Sequence, residues 1–341
     1  MNVWSNITES KKQNTIKFKT EKKRFCILQV TDLHLHHILP FTNEKKDLFG
    51  IKKMCKNNDV DLVVNTGDLF CFNAFFLIRR VCKKFDGIVG ETAPWAFAWG
   101  NHDNENFRPD RFSRLDRIES LLEDLPNCLY LKNRSFIEGI NQNSPQVGTR
   151  EYNAFIAPQD PDSGVSSMKY DGTYGGNYSL EIMTDDAQVP SVILFILNSR
   201  RNYGVPPNAR MWMKSYLKSN HMTKTPQFLF YHVPNVEFHK IWKNGKAIGF
   251  KRESVCYEKE NGMFHEFLRD LGNVKGCFVG HDHVNDYYGR EDGIYYIYGR
   301  KTSLSGYGPR KKIPDRFNLP LQGEGDKKAV VPGAKLINID L

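Results

Sequence analysis

The sequence of 341 residues contains no CxxC pair, and its seven cysteines (Cys26, Cys55, Cys71, Cys82, Cys128, Cys256 and Cys277) are odd in number and widely spaced. That usage argues against a disulfide framework and for reduced thiols. No apolar run approaches the length of a membrane span, and residues 1–24 are polar and lysine-rich, without the apolar stretch of a signal peptide. A cytoplasmic protein without a membrane span is the expectation. Internal repeats and low-complexity linkers are missing too, so residues 1–24 read as a ragged N-terminal arm and 25–341 as a single domain. Acidic side chains are the scarcer charge, 39 against 48 basic, for a net charge of +9. The excess is spread over surface-type segments, which favours anionic partners and makes nucleic acid a minor reading of the charge.

What is present is enough apolar material for a full core, 40% hydrophobic and 13% aromatic residues. Apolar runs at 25–31, 60–66 and 95–99 read as short buried strands, each followed by a segment with helical spacing. The helical faces are Leu48, Ile51, Met54 and Cys55; then Phe75, Ile78, Val81 and Cys82 within 74–84; then Leu115, Ile118, Leu121, Leu122 and Leu125 within 111–125. Strand, polar loop and helix recur three times, which predicts an α/β fold with active groups beyond the carboxyl ends of the strands. The second half is richer in strands: 152–157, 177–183, 192–198, 227–232, 274–279, 294–298 and 334–339. Helices are predicted at 207–218 and around Met263, Phe264, Phe267, Leu268 and Leu271.

The polar residues that end these strands carry the chemistry. Asp32 and His34 follow the first, Asp68 the second, Asn101 and His102 the third, His232 a later one, and His281 and His283 the run 274–279. Carboxylates, imidazoles and one amide, with no thiolate, suit Mn²⁺, Fe or Zn²⁺, with Mg²⁺ admissible, and do not suit Cu(I) or a cluster. Seven such donors exceed the needs of one tetrahedral ion. They fit two divalent ions sharing a carboxylate, the standard device for in-line displacement at phosphorus.

In order along the chain these segments are Asp-x-His, Gly-Asp, Gly-Asn-His-Asp, a lone His after an apolar strand, and Gly-His-x-His. The pattern, over about residues 25–300, resembles the calcineurin-like metallophosphoesterase superfamily. Gly176-Asn177-Tyr178-Ser179-Leu180, Glu253-Ser254-Val255-Cys256, Asn261-Gly262 and the run from Gly280 to Asp286 are similar to the purple-acid-phosphatase-like subgroup of fungi and plants. The resemblance implies two mixed β-sheets packed as a sandwich flanked by helices. It implies that Asp32, His34 and His283 hold one metal, that Asn101, His232 and His281 hold a second, and that Asp68 bridges them. It places His102 beside the leaving-group oxygen, so that His102 and Asp68 are the catalytic residues. The implied activity is a metal-dependent phosphoric ester hydrolase, first a phosphomonoesterase acting on a phosphoprotein or a small phosphorylated metabolite, by in-line attack of a hydroxide shared by the ions. The alternatives are a phosphodiesterase for cyclic nucleotides or nucleic acid, and a scaffold that keeps the fold without catalysis.

The sequence departs from purple acid phosphatases at the tyrosine ligand three residues after the bridging Asp, where it has Cys71. A colourless site with divalent ions is therefore expected, and nothing local identifies what orients His102. Residues 235–262 form a polar and aromatic excursion between two ligand segments, the sort of loop that carries specificity. Lys240, Lys243, Lys251, Arg252 and Tyr257 there, with Arg200 on a second rim, are expected to frame the substrate alongside Asn101 and His102. His36 and His37 read as rim residues, and His221, His239 and His265 as bland ones, with His265 on the polar side of its helix. Asp103 and Asp282 are expected to stabilise turns or to support histidines.

Overall fold

The computed structural model describes residues 4–10, 14–35, 43–71, 74–103, 112–132, 176–184, 187–199, 204–257, 263–308 and 331–341. The expected strand at 152–157, along with His36, His37 and Arg200, lies outside the described residues.

The first half builds a five-stranded sheet. Its strands are β3 (Arg24–Val30), β4 (Leu62–Asn65), β5 (Trp95–Phe97) and β6 (Cys128–Leu129), all parallel, with β14 (Lys335–Asp340) antiparallel against β3. The crossovers contain α1 (Asn43–Asn57), α2 (Phe75–Ile88) and α3 (Phe112–Asp124). Ile78, Val81, Cys82 and Phe85 make one buried stripe on α2, the spacing that glues a helix to a sheet.

The second sheet has nine strands in the order β1-β2-β7-β8-β9-β11-β13-β12-β10. They are β1 (Ile7–Ser10), β2 (Thr15–Thr20), β7 (Tyr178–Thr184), β8 (Val192–Ile196), β9 (Gln227–Phe230), β10 (Ala247–Phe250), β11 (Val274–Val279), β12 (Asp286–Glu291) and β13 (Ile294–Tyr298). At its centre β8, β9, β11 and β13 run parallel. These strands read as continuous apolar runs because both their faces are covered. Leu194 and Ile196 join the core between the sheets, while Ile193, Phe195 and Leu197 pack with the outer helices. Those helices are α4 (Pro207–Ser219), α5 (Val236–Lys243) and α6 (Met263–Leu271). The result is a four-layer α/β sandwich with two cores, one between and behind the first sheet and one under α4–α6.

Three expectations are corrected. Residues 7–20 do not trail as an arm: β2 pairs parallel with β7, burying Ile16 and Phe18 through a period-two pattern hidden among lysines. The excursion 235–262 is partly regular, containing α5 and the edge strand β10. His265 is buried rather than on a polar face, and its ring nitrogens meet the Tyr296 hydroxyl at 2.5 Å and Asp292 at 3.1 Å. Among the described residues no helix is long and apolar enough to cross a membrane.

Candidate metal centre

The carboxyl ends of β3, β4 and β5 in one sheet and of β9, β11 and β13 in the other open toward the same place. Gln29 links the two sheets just beneath it, its side-chain amide donating to Val279 O and Thr66 Oγ1, each at 3.0 Å. The chain must turn sharply off each strand, and four of the residues that do so sit in the left-handed region: Asp32 (φ 53°), His34 (45°), Asp68 (54°) and His281 (80°). Such conformations cost free energy for side chains other than glycine and persist only where the surroundings hold them. Here the surroundings are visible. Asp32 O accepts the Lys301 ammonium at 2.5 Å, Ser303 Oγ donates to Leu33 O at 2.6 Å, and Thr31 and Thr302 exchange two hydrogen bonds of 3.0 Å.

Asp68 occupies the middle. Its Oδ1 accepts the backbone N–H of His102 at 2.9 Å, while its Oδ2 faces His232 Nε2 at 3.3 Å and His34 Nε2 at 3.6 Å. On one side, His34 Nε2 lies 3.1 Å from His283 Nε2, which is 3.3 Å from Asp32 Oδ1. On the other, His232 Nε2 lies 2.9 Å from the side-chain oxygen of Asn101, and the His232 and His281 rings are 5.1 Å apart. One donor atom each from Asp32, His34, Asp68 and His283 falls within a 4.8 Å span. That is close to twice a metal–ligand bond of roughly 2.0–2.2 Å.

The proton inventory shows that this donor set fits a cation. His232 Nδ1 donates to Thr66 O at 2.7 Å, and His283 Nδ1 donates to Tyr307 O at 2.7 Å. In their neutral forms both Nε2 atoms would present lone pairs to carboxylate and amide oxygens, acceptor against acceptor, a conflict relieved by a bound cation or, at His232, by a proton. Burial holds the His34 ring down to about 3 and the His281 ring down to about 4, so both rings are neutral at ordinary pH. Burial also opposes charge on His232, but Asp68 and Asp32 outweigh it and lift that ring to about 10. The carboxylates thus pull strongly for positive charge at the point where the two sets of donors meet.

A model of the calcineurin-like phosphoesterase family matches residues 26–285. The chain belongs to this family. "Probable inactive purple acid phosphatase 28" of Arabidopsis thaliana is 24% identical over 314 residues, spanning 83% of this chain and 72% of the relative. "Phosphatase DCR2" of Saccharomyces cerevisiae is 24% identical over 319 residues, spanning 82% of this chain and 48% of that protein. Among solved structures, "GAP50 the anchor in the inner membrane complex of Plasmodium" shares the fold with a TM-score of 0.51 at 12% identity, covering 93% of this chain and 81% of that one.

In this calcineurin-like phosphoesterase the seven expected donors gather in one cluster, and the His102 ring packs edge-on to His34 with centroids 5.2 Å apart. Several residues expected to frame the substrate have local partners. Arg252 lays its guanidinium over Phe250, Tyr257 stands beside His239, and Lys240 pairs with Glu237 at 2.9 Å, all neighbours within the 235–257 segment itself. Asp103 supports backbone rather than a histidine: its carboxylate accepts the N–H groups of Asp68 (2.7 Å), Gly100 (2.9 Å) and Phe70 (3.1 Å). Burial and the nearby Asp68 raise its pKa to about 7. Asp282 likewise accepts Cys256 N–H and the Tyr298 hydroxyl. Lys301, Ser303 and Tyr307 were not legible in the sequence. Their strand β13 was, but only its parallel pairing with β11 brings the segment after it to the site.

Proposed function

We propose that this phosphoesterase hydrolyses phosphoric monoesters, on a phosphoprotein or a small phosphorylated metabolite, with two divalent ions. Mn²⁺, Fe²⁺ and Zn²⁺ lead the choice and Mg²⁺ follows. The observation that carries the reading is the arrangement about Asp68, one carboxylate oxygen shared between the His34 side and the His232 side. Asp32, His34 and His283 would hold one ion, Asn101, His232 and His281 the other, and Asp68 would touch both. When bound, such a pair acidifies a water toward neutral pH and neutralises phosphoryl oxygens. The chain's own residues supply the rest. Asp103 fixes the backbone N–H groups of Asp68, Phe70 and Gly100, and Asp68 in turn fixes the backbone amide of His102. His102, partly exposed beside His34, would give a proton to the departing oxygen. Cys71 in place of a phenolate ligand favours divalent ions and a colourless protein.

The test is hydrolysis of a nitrophenyl phosphate monoester and its diester by chelated and metal-supplemented protein. The reading expects metal-restored activity with the monoester preferred. Preference for the diester would move the assignment to a phosphodiesterase, and a steep salt dependence would then favour nucleic acid. A second reading, a fold kept without catalysis, draws on the names of the plant relatives and of the GAP50 anchor. Metal-loaded protein inert toward every ester in the panel would establish that reading instead.

A further inference from the structure

Two loops far apart in sequence close on the segment that carries His283. The first follows β10. There Asn285 Oδ1 accepts the N–H groups of Arg252 (3.0 Å) and Glu253 (3.1 Å), and a carboxylate oxygen of Glu253 accepts Val284 N–H at 2.8 Å. The second follows β13 and brings Tyr307 flat against the imidazole of His283, with ring centroids 4.0 Å apart and planes within 17°. The same Tyr307 supplies the carbonyl that takes the Nδ1 proton of His283 at 2.7 Å. Its side chain also lies within electrostatic reach of the Glu253 carboxylate, so the two loops meet beside His283.

A single hydrogen bond leaves an imidazole free to swing about its Cβ–Cγ bond. A coplanar ring against its face removes that freedom, while the carbonyl fixes the tautomer and so leaves Nε2 as the lone pair. His283 has both restraints from one residue, and its Nε2 points at Asp32 and His34. We propose that Tyr307, with Glu253 beside it, is a positioning residue for His283 and thereby sets the affinity of the ion shared by Asp32, His34 and His283. The inference rests on the two-ion reading above. It also gives the 251–256 segment a role in building the metal centre.

The experiment is Mn²⁺ titration of the full chain, stripped with chelator, followed by calorimetry and by electron paramagnetic resonance. Wild type, Tyr307→Leu, Tyr307→Phe and Glu253→Ala are compared. Wild type should bind two equivalents. Tyr307→Leu should weaken one of them by about 10–100-fold and leave the other unchanged, the range found when an outer partner of a ligating histidine is lost. Tyr307→Phe keeps the ring against His283 and should recover most of that affinity. Glu253→Ala should weaken the same ion by a smaller factor, and it carries the test if leucine at 307 disturbs folding. Tyr307 is 47% exposed, so its truncation opens no internal cavity. Two wild-type affinities in Tyr307→Leu, or an equal loss at both ions, would overturn the positioning role while leaving the metal centre standing. A wild-type chain that binds no Mn²⁺, Zn²⁺ or Fe²⁺ would remove both.

Discussion

His34 and His283 bring their Nε2 atoms to 3.1 Å of each other, although 249 positions separate them in the chain. The His283 ring is committed to Tyr307 through Nδ1, which turns its Nε2 lone pair toward His34, whose ring burial keeps neutral. A cation held between the two nitrogens would draw on both rings. Binding to the native state alone stabilises by about 2.7 kcal/mol at a hundredfold excess over Kd. For a chain of this size that is worth about 5 °C in melting temperature. Chelated protein should therefore melt several degrees lower than protein supplied with Mn²⁺ or Zn²⁺, as read by scanning calorimetry. Coincident curves would argue against a metal centre.

His102→Ala should lower turnover by about 10²–10⁴-fold for alkyl phosphates, whose leaving groups need a proton, and much less for nitrophenyl phosphate. Metal content by elemental analysis should stay at the wild-type level, since the contact of His102 with Asp68 runs through its backbone N–H. An equal loss on both kinds of ester would exclude the acid role.

Gly100 abuts the shared carboxylate. A Cβ there would lie 2.1 Å from Asp68 Oδ1 and 2.3 Å from Asp68 N, so a single methyl group must displace Asp68. Because a misplacement of about 1 Å at a reacting centre costs on the order of 10²-fold, Gly100→Ala should lose at least that much kcat. Circular dichroism should still show a folded chain. Retained activity would mean that Asp68 does not need its present position.

Away from the site, Asp86 on α2 accepts Trp95 Nε1–H at 2.9 Å, Asn127 N–H at 3.1 Å and the Asn127 side-chain amide at 3.2 Å. Asp86→Ala strands the indole N–H of a fully buried tryptophan and should cost about 2–3 kcal/mol in urea denaturation. Burial raises the carboxyl pKa above its ordinary value despite those donors. The native state then holds the proton more tightly than the unfolded chain, so this group's contribution to stability falls as pH rises from about 4 and levels off above the folded pKa. Asp86→Asn, which does not titrate, should lose that fall. An unchanged pH profile would contradict the assignment.

The donors were legible because each lies next to its strand in the chain: Asp32 after β3, Asp68 after β4, Asn101 and His102 after β5, His281 and His283 after β11. An apolar run fixes where a strand stops, and the next polar residues are then at its carboxyl end. The β2 strand was obscured because its apolar residues alternate with lysines at what proved a covered position in the sheet. The α5 helix was masked by the polar character of its surroundings.

The chain order alone thus determined the candidate donor types, the strand ends that bear them and the α/β class, since all three follow from neighbours in sequence. Only the tertiary structure decided that Lys301 and Ser303 hold the Asp32 turn, that Asp103 braces backbone, and that Glu253 and Tyr307 converge on His283. Those contacts join segments through strand pairing and loop packing, and local spacing carries no record of which distant loop will arrive.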